Sequence, residues 1–504
     1  MYYYKMSLLP KTLLNSTSNE DQTLEIHSEI LEPLSHSQKI TRWEIPHKNV
    51  LDSDSQLIYK VYWNKMNGSA DHRTDDSMTA LPYLDSGLYS LINRARLYVN
   101  GVIISELNEV GKYLTLKKNF IPHEVKTEKM DFFSYADHNL GVSTAGGADV
   151  GKLLDDVAKV KRTKGDRTIG SSADGYEVEA SLRLGDLFGI LEGAQLDTNS
   201  ILGKIMIEID WYNPTNYQNC TYAGQTPADA DKGLTVSDPR LILDFLTFND
   251  EVTSALRGTI FGDGPGVTMP FREVALVRKT TNTGSNADAK NEDHYLGMTG
   301  RAIQKIWIQK VMNSTVENTH NGPNRSDLLM NQRWNLKVND LMIFDRDCQN
   351  RAEEFNYLEQ TGEKQFTCAP TTFEKRDQST RPGYTVANDE FLADEVAWYQ
   401  NASNTGVPTD DGRSIQGTAS NYIGGTAINR MGRQNYLSVN CAKYGGAEQQ
   451  QNALRIGSTP VIFNIQYDGA NDADTSSLPG TLYFFVEYLK MMNLKNGEIT
   501  VLDM

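Results

Sequence analysis

The sequence predicts a mainly β protein built as two tandem β-sandwich domains, with long loop insertions and a few short helices. Three observations lead there. The periodic segments are short, alternating and rich in β-branched or aromatic residues, which is strand chemistry. One short pattern occurs twice, about half a chain apart. The 504 residues are long for one domain and comfortable for two.

The strands follow in order. In the first half they are residues 23–30, 55–63, 94–105, 176–182, 204–211 and 240–248. In the second half they are 268–278, 304–311, 333–344, 436–442, 460–467 and 481–489. The best helix is 346–361, where Cys348, Ala352 and Phe355 fall on one face, Asp345 can cap the start and Gly362 can end it. Strands this numerous and scattered do not suit a βαβ reading. Two polar insertions interrupt them, about 126–174 and about 370–432, rich in Gly, Asn, Thr and Asp. Loops of that length inside compact domains are functional or disordered.

The repeat is an internal echo. Residues 94–104 read Arg-Ala-Arg-Leu-Tyr-Val-Asn-Gly-Val-Ile-Ile, and 333–343 read Arg-Trp-Asn-Leu-Lys-Val-Asn-Asp-Leu-Met-Ile. The offset is 333 − 94 = 239 residues. In each copy the Leu-x-Val alternation suits a half-buried strand. The Asn100-Gly101 and Asn339-Asp340 corners suit a tight hairpin turn. A helix-like stretch is expected after each, near Ser105 and near Asp345. A weaker echo sets 204–211 before 240–248 as 460–467 stands before 481–489. The expected organisation is an N-terminal arm over 1–18, a first domain over 19–252 and a second over 253–504, meeting near 250–267.

Composition excludes several classes. A formal net charge of −16 argues against a basic groove that wraps nucleic acid. The 24 Tyr, 16 Phe and 6 Trp argue against disorder. Cys220, Cys348, Cys368 and Cys441 have neither metal-site nor redox spacing, so a reducing folding environment is expected. The opening residues have no signal-peptide pattern, and no apolar stretch reaches the roughly 20 residues that span a bilayer. The aromatic and leucine-rich start (Tyr2, Tyr3, Tyr4, Leu8, Leu9) reads equally as an arm packed on its own domain or one gripping a neighbour.

The run from Trp334 to Asp347 and the stretch closing in Glu359-Gln-Thr-Gly362 resemble the second jelly roll of major capsid proteins from virophages and polinton-like viruses. So does the closing pattern: Tyr436-Leu-Ser-Val-Asn440, residues 460–467, then Gly480-Thr-Leu-Tyr-Phe-Phe-Val-Glu487 and a strand near 498–502. The resemblance covers 325–362 and 435–504, and in the first half it rests on 87–107. It implies two tandem jelly rolls in a subunit that trimerises into a pseudo-hexagonal capsomer of an icosahedral shell. The implied partners are other copies of the chain, penton proteins and minor capsid proteins, with no sequence-specific nucleic-acid binding and a place in the virion.

Catalytic, cofactor and metal chemistry finds no foothold, and no catalytic, cofactor-binding or metal-binding residue is expected. Gly146-Gly-Ala-Asp-Val-Gly151-Lys152-Leu153 has the spacing of a phosphate loop but Leu153 where a hydroxyl must hold magnesium. Glu44-Ile-Pro-His47 has ligand spacing, yet Pro46 spoils the helix that would join the two side chains. Asp155-Asp156 and Asp410-Asp411 lie in polar loops and read as solvated. The oxygen-rich 468–475 lacks the spacing and closing Glu of an EF-hand. The basic cluster Lys159, Lys161, Arg162, Lys164 and Arg167 reads as an exposed loop. Two function classes remain: a shell subunit, and a β-sandwich carbohydrate-binding or carbohydrate-processing protein. Missing secretory signals and the lack of a convergent polar site favour assembly.

Overall fold

The computed structural model describes residues 23–63, 82–84, 88–118, 176–192, 196–212, 218–220, 234–281, 290–312, 332–348, 353, 357, 437–444, 453–467 and 480–503. The arm 1–18 and the insertions 126–174 and 370–432 lie outside them.

Among the described residues, the principal strands between residues 23 and 248 form two antiparallel sheets. They are β1 (Thr23–Leu31), β2 (Ile40–Ile45), β3 (Gln56–Trp63), β4 (Ile92–Val99), β5 (Val102–Asn108), β6 (Tyr176–Arg183), β7 (Ile205–Trp211) and β8 (Leu234–Phe248). One sheet has the order β1-β8-β3-β6 and the other β2-β7-β4-β5. The second set is β9 (Val267–Thr280), β10 (Lys290–Gly297), β11 (Ala302–Met312), β12 (Gln332–Val338), β13 (Leu341–Met342), β14 (Leu437–Asn440), β15 (Val461–Tyr467) and β16 (Gly480–Lys495). Its sheets run β9-β16-β11-β14 and β10-β15-β12-β13. Adding eight to each strand number of the first sandwich reproduces the second. This alternation of strands between two facing sheets is jelly-roll topology. A further strand, β17 (Glu498–Asp503), folds back onto the end of β16.

The echoed segments occupy the same place in both sandwiches. Leu97 and Val99 on β4 are buried, as are Leu336 and Val338 on β12. Leu97 lies opposite Ile207 on β7, and Leu336 opposite Phe463 on β15. A strand alternates faces every residue, so burying these pairs fixes each register. Both corners turn through left-handed pairs: Asn100 and Gly101 have φ of 52° and 79°, Asn339 and Asp340 of 50° and 65°. That backbone matches the twist of the strands it joins.

Three local expectations are corrected. Residues 94–105 and 333–344 are not single strands; each is two strands closed by the turn. The helix after the first hairpin, α1 (Val110–Lys118), begins later than Ser105, because β5 stays paired with β4 through Asn108. After the second hairpin, Cys348 is not on a helix. Its N–H and C=O pair with Trp334 at 2.9 and 3.1 Å, so Asp345 and Cys348 precede the helical Glu353 and Tyr357. Cys348 is buried all the same.

β2 and β10, equivalent strands, were not foreseen, nor was α2 (Asp250–Phe261) between the sandwiches. The side chain of Asn249 caps α2 by accepting from the Val252 N–H at 2.9 Å, and Val252, Leu256 and Ile260 are its buried residues. β10 escapes a hydropathy reading because its buried face is polar, with Glu292 and His294 beside Leu296.

Candidate functional site: a charged junction between the sandwiches

Alternation gives β16 two working faces. Leu482, Phe484 and Val486 point into the second sandwich and belong to its core. Tyr483, Phe485 and Glu487 point the other way, and the two aromatic rings join the hydrophobic cluster of the first sandwich, together with Trp307 of β11. Val274 and Leu276 of β9 pack on the same cluster. The first sandwich meets this face with β5, α1 and the 3-10 turn Gly189–Leu191. The ring of Tyr113 on α1 lies 5.7 Å from that of Phe485, and Lys112 Nζ lies 4.9 Å from the centroid of Tyr483. The contact is close: a Cβ on Gly189 would fall 1.5 Å from the Arg272 carbonyl oxygen.

Carboxylates sit inside this apolar contact. Glu487 accepts from Trp307 Nε1 at 2.8 Å, from the Tyr113 hydroxyl at 2.9 Å and from Arg272 Nη1 at 3.0 Å. Burial alone would raise its pKa, but Arg272, Lys305, Lys117 and the Trp307 donor outweigh burial and hold it at about 2. Arg272 also binds Glu192, which pairs with Lys117 at 3.1 Å. Glu109, ahead of α1, pairs with Lys112 at 2.8 Å and also accepts from Tyr212 and from Arg278 of β9. Burial works against its charge, yet Lys112, Tyr212 and Arg278 keep its pKa below the ordinary value.

Glu273 behaves in the opposite way. It accepts from the Glu106 N–H at 2.9 Å and the Ser105 hydroxyl at 3.4 Å across the junction. Among the described residues its Oε2 has no hydrogen-bond partner. Burial dominates over Lys490 and these donors and pushes its pKa up to about 7.

These groups pair with one another at the junction. The cleft between Glu106, Lys117, Asp186, Glu192, Arg272 and Glu273 holds about 20 Å³, room for roughly one water molecule. Of the weighed motifs, Glu44 and His47 do not converge. Glu44 on β2 accepts from Lys204 at 3.0 Å, while His47 Nδ1 bonds the Thr198 carbonyl at 2.6 Å. The phosphate-loop near-miss, the paired aspartates, the basic cluster and 468–475 lie outside the described residues. No group of three or more His, Cys, Asp or Glu side chains among the described residues could hold a metal. No described helix is long and apolar enough to cross a membrane. The sequence reading missed the junction, although one signal was available: Glu487 is a lone charge in the apolar run Tyr483-Phe-Phe-Val-Glu-Tyr488.

Among the described residues, two sandwiches whose eight principal strands share one order, welded along one face, define a double jelly-roll protein. No family model matches the sequence, and no curated protein matches it. The likeness to known proteins is structural. The chain matches a chain of the Sputnik virophage, solved by cryo-EM, with a TM-score of 0.53 at 11% identity, covering 97% of this chain and 90% of that one. It matches a chain of the PBCV-1 virus capsid with a TM-score of 0.51 at 10% identity, covering 97% and 100%. At such identities the shared property is the fold, and the fold is shared end to end.

Proposed function

We propose that this chain is the structural major capsid protein of an icosahedral double-stranded DNA virus, resident in the virion and without a catalytic role. The carrying observation is the double jelly roll itself, matched over 97% of the chain by a chain of the PBCV-1 capsid. The arm 1–18, the first jelly roll 19–252 and the second 253–504 form one subunit. Three subunits make a capsomer with six similar sandwiches, and capsomers contact one another and penton and minor capsid proteins. The subunit folds in the reducing interior of the host cell, which suits thiols such as the buried Cys441, whose pKa burial pushes up to about 12. Negative-stain electron microscopy of the expressed protein tests the reading: shells or hexagonal arrays are expected. Protein that stays monomeric across pH and salt overturns it.

A further inference from the structure

The first sandwich is tied to β9 of the second at several points, and the ties differ in kind. Arg278 pairs with Glu109, and Arg272 pairs with Glu192. In both, a cation keeps the buried carboxylate charged, with a pKa below the ordinary value. Between these arginines stands Glu273, which meets β5 through neutral donors. Its Oε1 accepts from the Glu106 N–H at 2.9 Å and from the Ser105 hydroxyl at 3.4 Å. β5 can give that N–H away because it is the edge strand of its sheet.

Glu273 is 5% exposed, and its Oε2 has no hydrogen-bond partner among the described residues. Beside it lies the cleft of about 20 Å³, lined also by Glu106, Lys117, Asp186, Glu192 and Arg272. Lys117 and Arg272 are held there by Glu192, and Arg272 by Glu487 as well. From β16, Lys490 attracts the Glu273 charge, and from β5 the Glu106 carboxylate repels it. Tyr488, opposite Glu273 on β16, is kept neutral by burial. Arg301 lies 4.6 Å from the centroid of that ring and pairs with Asp503 of β17 at 3.1 Å. A neutral carboxyl asks little of such a place. A carboxylate spreads its charge over both oxygens, and the bare one then needs donors that water must bring. The closed cleft has room for roughly one water molecule, so further hydration requires the β5 edge to move away.

We propose that the Glu273 contact is a proton-operated latch on the junction: the neutral carboxyl holds the β5 edge closed on β9, and ionisation admits water and frees that edge while the ties at Glu109 and Glu487 stay made. The latch lies within one chain and acts whatever that chain assembles into. Its working range runs from the ordinary 4.5, when water reaches the carboxyl, to about 7, when the contact is closed. Between these values opening releases a proton, so each pH unit favours the open form about tenfold more. Above about 7 both forms are ionised and the gain stops.

Hydrogen exchange on the full-length protein reads the latch directly, because the Glu106 N–H is itself bonded to Glu273. Each rate is divided by that of the unstructured peptide at the same pH, which removes the base catalysis of exchange. Protection of residues 104–108 is expected to fall at least about tenfold from pH 5 to pH 8, while that of α1 stays level. Glu273→Gln has no proton to lose and is expected to abolish the fall. Two variants that keep the carboxyl shift its range in opposite directions. Lys490→Met removes the attracting cation and extends the fall to higher pH; Glu106→Gln removes the repelling charge and ends it at lower pH. These two carry the test should Glu273→Gln not fold. Level protection in the wild type, or an equal fall in Glu273→Gln, overturns the proposal. So does a range that neither neighbouring charge shifts, or loss of α1 protection in step with residues 104–108.

Discussion

Glu487 and Glu273 lie on neighbouring strands of one sheet, yet their surroundings drive their protons in opposite directions. Glu487 has Arg272 and two indole and phenol donors; Glu273 has two weaker donors and an orphaned oxygen. Removing Arg272 leaves Glu487 buried without its nearest cation, so Arg272→Ala is expected to lower unfolding free energy by about 3 kcal/mol in urea titrations. Glu273 predicts a pH dependence. Its pKa is raised to about 7 in the fold against an ordinary 4.5, so the folded chain binds more protons than the unfolded one between those values. The stability it contributes is present below pH 4.5 and is lost as pH rises through about 7. Glu487, held at about 2, contributes in the reverse sense, losing stability as pH falls from 4.5 toward 2. Glu273→Gln keeps an oxygen for the Ser105 and Glu106 donors and removes the charge. It is expected to raise the melting temperature at pH 8 more than at pH 5. An equal shift at both pH values would refute the assignment.

At the scale of elements, the hairpin is a clamp as well as a turn. Asn100 Nδ2 donates to the Leu202 carbonyl at 2.7 Å, and Asn339 Nδ2 donates to the Arg455 carbonyl at 3.1 Å while its Oδ1 accepts from the Gly457 N–H at 2.7 Å. Each side chain thus ties the strand-4-type hairpin to the loop that leads into the strand beside it, β7 or β15. Gly203, with φ of 96°, admits Asn100: a Cβ there would fall 1.5 Å from Oδ1. Asn also tolerates the left-handed backbone. Asn100→Ala and Asn339→Ala are each expected to cost about 2 kcal/mol, from the lost hydrogen bonds and the positive φ; melts that do not move would contradict the clamp. This duplication was legible because the clamp needs Asn and the buried pair needs Leu-x-Val, so function repeated letters. β2 and β10 were illegible for different reasons: the first is six residues long before Pro46, and the second buries Glu292 and His294. Beyond the lone charge of Glu487, the junction was illegible because its partners are far apart in sequence. Tyr113 and Glu487 meet only through the tertiary fold, and no local period announces that.

At the scale of the molecule, the two sandwiches do not have two separate cores. One buried cluster runs from Trp43 and Leu57 in the first sandwich through Trp307, Tyr483, Phe485, Met492 and Leu494 in the second, and the other is confined to the second. Trp307, Tyr483 and Phe485 carry of order 150–250 Å² of surface each. Uncovering them would open an apolar patch of several hundred Å², more than a soluble monomer normally shows. The second sandwich therefore depends on the first for solubility, whereas the first keeps its own inward-facing core. Two consequences can be measured. Calorimetry of the whole chain is expected to give one cooperative transition with equal calorimetric and van't Hoff enthalpies; two resolved transitions would show independent units. The fragment 253–504 expressed alone is expected to self-associate and bind a hydrophobic dye. A monodisperse, dye-negative fragment would mean that the outer side of β16 tolerates water, and the junction would then position the sandwiches rather than hold them up.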